Sequence, residues 1–268
     1  MDILTRCFIA LAFAVMLLQP GAAPAAGNAD NAIALSQAAI DQQLPDLQFT
    51  DTVGRKVRLS DYRGKPLLVS LIYTGCTDVC PTLIESLYPA VKAARQALGE
   101  DSFSVVTIGF DTRNDTPSRL RSFARSRGID LPNWAFLASD EESLDALARA
   151  VGFGIYSRAG GFDHLAQVSL IDAEGRVRQQ IYGAVFEPPV IVDPLKAVVL
   201  GRNEPLASLE GLVDRIRWFC TIYDAKSGRY YFSYSLFISI GIGLASFSLI
   251  IVALIREWRR SSAHRVSH

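Results

Sequence analysis

The sequence has no net charge: 27 Lys and Arg face 27 Asp and Glu in 268 residues. That balance leaves no electrostatic footprint for nucleic acid. There is also no internal repeat, no glycine loop spaced to cradle phosphate and no low-complexity block, which removes repeat arrays and phosphate-loop nucleotide enzymes from consideration. Histidine is scarce, with three residues, and cysteine nearly so, with four. Chemistry based on imidazole or thiol must therefore rest on a few named positions. Apolar residues are not scarce. They make up half the chain, enough for one domain of ordinary size plus membrane segments.

Both ends carry long apolar stretches. Residues 1–26 combine Arg6, the run from Cys7 to Leu18 and a small-residue ending with Ala23 and Ala25, and they read as a secretory signal. Cys7 would leave with it, so Cys76, Cys80 and Cys220 would remain in an oxidising compartment. Tyr230 to Ile255 is a run of 26 residues without a charge. At about 1.5 Å per residue it can cross a hydrocarbon core of about 30 Å. Lys and Arg are equally numerous on its two sides, so orientation follows from the signal: the domain is exported to the periplasm and the tail stays in the cytoplasm. The expected organisation is signal 1–26, a polar alanine-rich tether 27–43, a domain 44–201, a juxtamembrane segment 202–229, a transmembrane helix 230–256 and a cytoplasmic tail 257–268.

Within the domain, strands and helices alternate. A buried-type strand, Pro66 to Tyr73, precedes Cys76-Thr-Asp-Val-Cys80-Pro81 and a helix to Leu98. Pro81 suits a first helical turn, and the residue before a proline avoids the α region, so Cys80 is expected at the cap. Both sulfurs would then face the positive end of the helix dipole, which favours thiolate. A thiolate pair can close a disulfide or grip a soft ion such as Cu(I). Further strands are expected at Phe103 to Gly109 and Trp134 to Ala138. Helices are expected from Thr116-Pro117 to Gly128 and from a Ser139/Glu142 capping box to near Gly152. Hairpins are expected around Asp51-Thr-Val-Gly54 and Asp172-Ala-Glu-Gly175, and a last helix over Asp193 to Leu200. The fold class is α/β, a central mixed sheet with flanking helices, and a cysteine pair after its first core strand looks like a thioredoxin-like fold.

A two-thiolate site is often completed by imidazole. His264 and His268 lie in the tail, which leaves His164, in Gly160-Gly-Phe-Asp-His164, for the exported domain; Asp163 could orient its ring. Four segments together resemble the SCO/SenC family of copper-binding proteins for cytochrome c oxidase assembly. They are Gly64-Lys65-Pro66, Cys76-Thr-Asp-Val-Cys80-Pro81, Phe110-Asp111 to Thr116-Pro117, and Asp163-His164 followed by Leu170 to Gly175.

The resemblance implies that Cys76, Cys80 and His164 bind copper. It further implies a membrane-anchored periplasmic metallochaperone that delivers copper to the binuclear site of oxidase subunit II, with another copper donor or a thiol reductant as a further partner. A thiol–disulfide oxidoreductase that keeps the oxidase cysteines reduced would use the same Cys76 and Cys80. A peroxidase would need more than Thr74-Gly-Cys76 supplies. The C-terminal span departs from the N-terminal anchor of many members. Asp111 and Asp115 read as loop and helix-cap groups, Asp78 as exposed, and Cys220 as a bystander near the membrane.

Overall fold

The computed structural model describes residues 26–77, 79–158, 161–201, 221–224 and 229–264. Residues 1–25 of the expected signal, Cys7 among them, and Asp78 and Cys220 lie outside the described residues. In chain order the elements are α1 (Ala26–Ala38), β1 (Gln48–Asp51), β2 (Lys56–Arg58), β3 (Leu67–Ile72), α2 (Val79–Leu98), β4 (Ser104–Gly109), α3 (Pro117–Ser126), β5 (Trp134–Ala138), α4 (Glu141–Val151), β6 (Ile155–Arg158), β7 (Gly161–His164), β8 (Gln167–Ile171), β9 (Val177–Tyr182), α5 (Pro188–Leu200), β10 (Thr221–Asp224), β11 (Arg229–Phe232) and α6 (Ser235–His264).

Seven strands form one mixed sheet in the order β2-β1-β5-β4-β3-β8-β9. β3, β4 and β5 run parallel at its centre, and β1 and β8 join antiparallel on either side. Every residue of β3, β4 and β8 is buried, as continuous apolar runs covered on both faces require. Among their polar side chains Ser70 pairs with Thr107 at 2.9 Å, and Trp134 Nε1–H donates to Thr107 Oγ1 at 3.0 Å. One core cluster lies under α2 and α5, around Leu68, Ile84, Leu87 and Leu195, and the other around Phe49, Val69, Ile108 and Leu147. The buried hydrophobic residues run from Ala32 to Val199.

The expected strands, hairpins and helices over 47–151 are present, with local differences. The α4 cap is Asp140, whose carboxylate accepts Ser143 N–H at 2.7 Å, whereas Ser139 Oγ donates to Gly109 O instead. α5 begins at Pro188 and takes Pro194 inside it. Residues 26–38, expected as tether, form a helix seated on the domain. Ala32, Ser36 and Ala39 are buried, Tyr182 OH donates to Ser36 Oγ at 3.0 Å, and Gln180 Nε2 donates to Ser36 O at 3.3 Å. Small residues at this spacing let α1 press against the α4 C-cap. A Cβ on Gly152, itself at φ +63°, would lie 2.4 Å from Leu35 O. The apolar helix also starts later than expected. Tyr230 and Tyr231 belong to β11, paired with β10, and the 20-residue span Phe237–Arg256, mean hydropathy 2.5, has none of its most apolar stretch covered by protein. It is the one described helix long and apolar enough to cross a membrane.

Candidate metal centre

β3 and β4 end at the same sheet edge, where open α/β sheets place their working groups. β3 hands the chain to the loop Tyr73 to Thr77, and α2 starts at Val79. Cys80 therefore sits inside the first helical turn rather than at the cap. Pro81 falls early enough in the helix that its missing N–H breaks no helical hydrogen bond, which outweighs the proline's bias on its predecessor. Cys80 is 1% exposed and packed in the core, while Cys76 is half-buried. Cys80 N–H donates to Cys76 Sγ at 3.4 Å.

The helix dipole does not make Cys80 a thiolate. Burial pushes its thiol far above the ordinary range; the charge and side-chain hydrogen bond of Cys76 and the charge of Asp115 add to this, and only a backbone hydrogen bond from Tyr73 opposes it. The expectation of a thiolate is corrected for this residue.

The sequence suggested no strands between Gly152 and Gln167, yet β6 and β7 pair there as a separate hairpin, and His164 ends β7 instead of riding a loop. Its ring lies among Phe110, Phe153 and Tyr73, at centroid separations of 5.2, 5.3 and 6.3 Å. Burial is the main cause that lowers the His164 pKa, so the ring is neutral near pH 7. Its Nδ1 stands 3.2 Å from Leu165 O. A carbonyl only accepts, which assigns the proton to Nδ1 and leaves the Nε2 lone pair open. This carbonyl, not Asp163, orients the ring.

Nε2 then faces Cys80 Sγ at 3.7 Å, within reach of the thiol proton. Bonds of about 2.3 Å to sulfur and about 2.0 Å to nitrogen, as zinc shows, set two ligands of one ion roughly 3.5 to 3.8 Å apart. The pair thus already has the separation of two ligands on one centre. Among the described residues, no three His, Cys, Asp or Glu side chains yet converge as a ready-made cage.

The loop is held by Asp115, a role that its residue type alone does not signal. Asp115 is 2% exposed, and its carboxylate accepts Thr74 N–H at 2.8 Å, Thr74 Oγ1–H at 2.6 Å and Asp111 N–H at 2.9 Å. It ties the cysteine loop to the turn after β4, while Thr116 caps α3. The aromatic surround of His164 is spread over Tyr73, Phe110 and Phe153, three positions that no local motif links.

A thiol pair and an imidazole gathered at one edge of a mixed sheet flanked by helices define a thioredoxin-like protein. The SCO1/SenC family model matches residues 37–200, and the chain belongs to that family. It is 26% identical over 156 residues to a SCO1 protein homolog of Bacillus subtilis, covering 56% of this chain and 78% of that one. A solved structure from Aquifex aeolicus is 28% identical with TM-score 0.55, covering 63% of this chain and 97% of that one. Yeast Sco1, solved with copper bound, shares the fold at 16% identity and TM-score 0.52, covering 62% and 92%. Sco proteins form a family of cytochrome c oxidase assembly proteins.

Proposed function

We propose that the protein is a membrane-anchored copper carrier that binds the ion on Cys76, Cys80 and His164 and passes it to the binuclear copper site of cytochrome c oxidase subunit II. The observation that carries this reading is the 3.7 Å pairing of Cys80 Sγ with a neutral, pre-oriented His164 Nε2 in a SCO1/SenC chain. Loading exchanges a proton for a metal. The Cys80 proton leaves to solvent, and the ion takes a place between sulfur and nitrogen. Cys76, half-buried at the rim, supplies a ligand that an acceptor thiolate can replace, whereas Cys80 holds the ion from below. Transfer is then ligand exchange starting at the exposed side.

A thiol–disulfide oxidoreductase would use the half-buried Cys76 as the attacking thiol and Cys80 as its buried partner; the imidazole that faces Cys80 Sγ is what favours copper over that reading. In this account α6 spans the inner membrane once and the domain stands in the periplasm. Copper per chain in the purified protein, with and without reductant, tests the proposal: one ion in the wild type and none in Cys80→Ala supports it, and no copper in the wild type overturns it.

A further inference from the structure

Successive side chains of β11 point to opposite faces, and the two faces meet different surroundings. Tyr230 turns toward the domain: its ring packs against the core cluster under α2 and α5, and its hydroxyl stands 3.5 Å from Asp193 Oδ1 on α5. β11 also lies against α2. Across the ladder Tyr223 pairs with Tyr230, and their rings meet at 5.2 Å. Residues directly opposite in an antiparallel pair share a face, so each strand of the hairpin brings a tyrosine to the domain side. Tyr231 points the other way and is 53% exposed, and Tyr234 is 67% exposed. Both lie just ahead of the apolar span that starts at Phe237, where a ring with a polar tip favours a membrane interface. The connection to that span is short. β11 ends at Phe232 and α6 begins at Ser235, and Ile238 N–H already donates to Tyr234 O at 3.0 Å. The two residues between, Ser233 and Tyr234, reach at most about 7 Å. A hairpin seated on the domain therefore leaves it little freedom to swing about the foot of α6. Were the hairpin released, the 31 residues 202–232 could extend about 100 Å.

Resting on the reading of α6 as a membrane span, we propose that the β10–β11 hairpin is a strut: it seats on α2 and α5 through Tyr230, sets Tyr231 and Tyr234 in the lipid headgroup region, and holds the domain at the bilayer surface in one attitude. The metal centre is then presented at a fixed height and direction rather than on a long tether. The seat is mostly apolar, so a charge placed in it breaks it. Tyr230→Asp loses the ring contacts and sets a second carboxylate beside Asp193.

The test uses the full chain in lipid nanodiscs and reads the line widths of the domain's amide NMR signals. A seated domain tumbles with the disc, so the wild-type signals should be broad. Tyr230→Asp should narrow them several-fold while the chemical shifts of β3 and β4 stay in place. A flexible Gly/Ser insertion between Ser233 and Tyr234 frees the foot without touching the seat, and it should narrow them as well. If Tyr230→Asp loses the β3 and β4 shifts, the insertion variant, whose core is unaltered, decides alone. Narrow signals in the wild type, or signals as broad as the wild type's in either folded variant, would overturn the proposal. A chain that does not enter nanodiscs would defeat the membrane-span reading instead. Hydrogen exchange of the β11 amides would then still decide whether the hairpin is seated: faster exchange in Tyr230→Asp than in the wild type supports the seat, and equal exchange refutes it.

Discussion

Raising the pH of the copper-free, reduced domain above about 9 should destabilise it through one residue. Burial is the chief reason that Cys80 holds its proton in the folded state far beyond the point where an unfolded cysteine, near pH 8.5, releases it. The folded state therefore binds the extra proton. Its contribution to stability is complete below pH about 8.5 and is lost as pH rises toward the folded value. One proton corresponds to about 1.4 kcal/mol per pH unit, so near pH 10 the wild type should have lost about 2 kcal/mol through this group. Because the side chain is almost wholly buried, solvent screening removes little of that figure.

The comparison is with Cys80→Ala, which should cost about 1 kcal/mol at every pH by leaving a small cavity but should lack the alkaline slope from this residue. Guanidinium unfolding of residues 28–217, which contain every buried hydrophobic residue described, measured under reductant from pH 7 to 10, would give both curves. Parallel curves over that range would refute the assignment of Cys80 as a buried neutral thiol, and with it the proton-for-metal exchange.

Further consequences can be measured separately. Asp115→Ala removes the acceptor of three hydrogen bonds and should lower stability by about 2 to 4 kcal/mol in the same unfolding assay, while also weakening copper binding by freeing the Thr74 to Cys76 loop. Gly152→Ala puts a Cβ into Leu35 O at a left-handed position, so it should cost at least about 1 kcal/mol and expose α1 to limited proteolysis before the rest of the domain. Copper affinity should fall at least tenfold per pH unit on acidification in competition with a pH-insensitive chelator, because Cys80 must shed its proton; a flat profile would exclude that loss. A reporter fused after His268 should work only if it is active in the cytoplasm, and activity of a periplasm-only reporter there would reverse the topology.

The central sheet was legible because its strands obey simple rules: continuous apolar runs for β3 and β4, turn residues for the β1–β2 and β8–β9 hairpins, and Thr116-Pro117 for the start of α3. Cys76, Cys80 and His164 were legible by residue type. Their geometry was not, because the sheet edge that gathers them is assembled from residues nearly 90 positions apart. The β6–β7 hairpin escaped notice because Ile155 to His164 has no sustained alternation and three of its residues, Gly160, Gly161 and Asp163, are poor strand formers. α1 looked like a tether because alanine and serine contribute little hydrophobicity, although their small size is what permits its close approach to Gly152. The thiolate expectation for Cys80 failed for a related reason. Sequence shows the nearby helix dipole, which lowers a thiol pKa by a modest amount, but not the burial that outweighs it.

Bound copper in His164→Ala is the most direct measurement of the account. The chain retains both thiols in this variant and loses only the nitrogen that faces Cys80 Sγ at 3.7 Å. Titrated with Cu(II) beside the wild type, it should bind more weakly and with a changed thiolate charge-transfer spectrum, while its circular dichroism stays that of the folded domain. Cys80→Ala should bind essentially none. Full copper binding with an unchanged spectrum in His164→Ala would contradict the assignment of the site and the carrier function built on it.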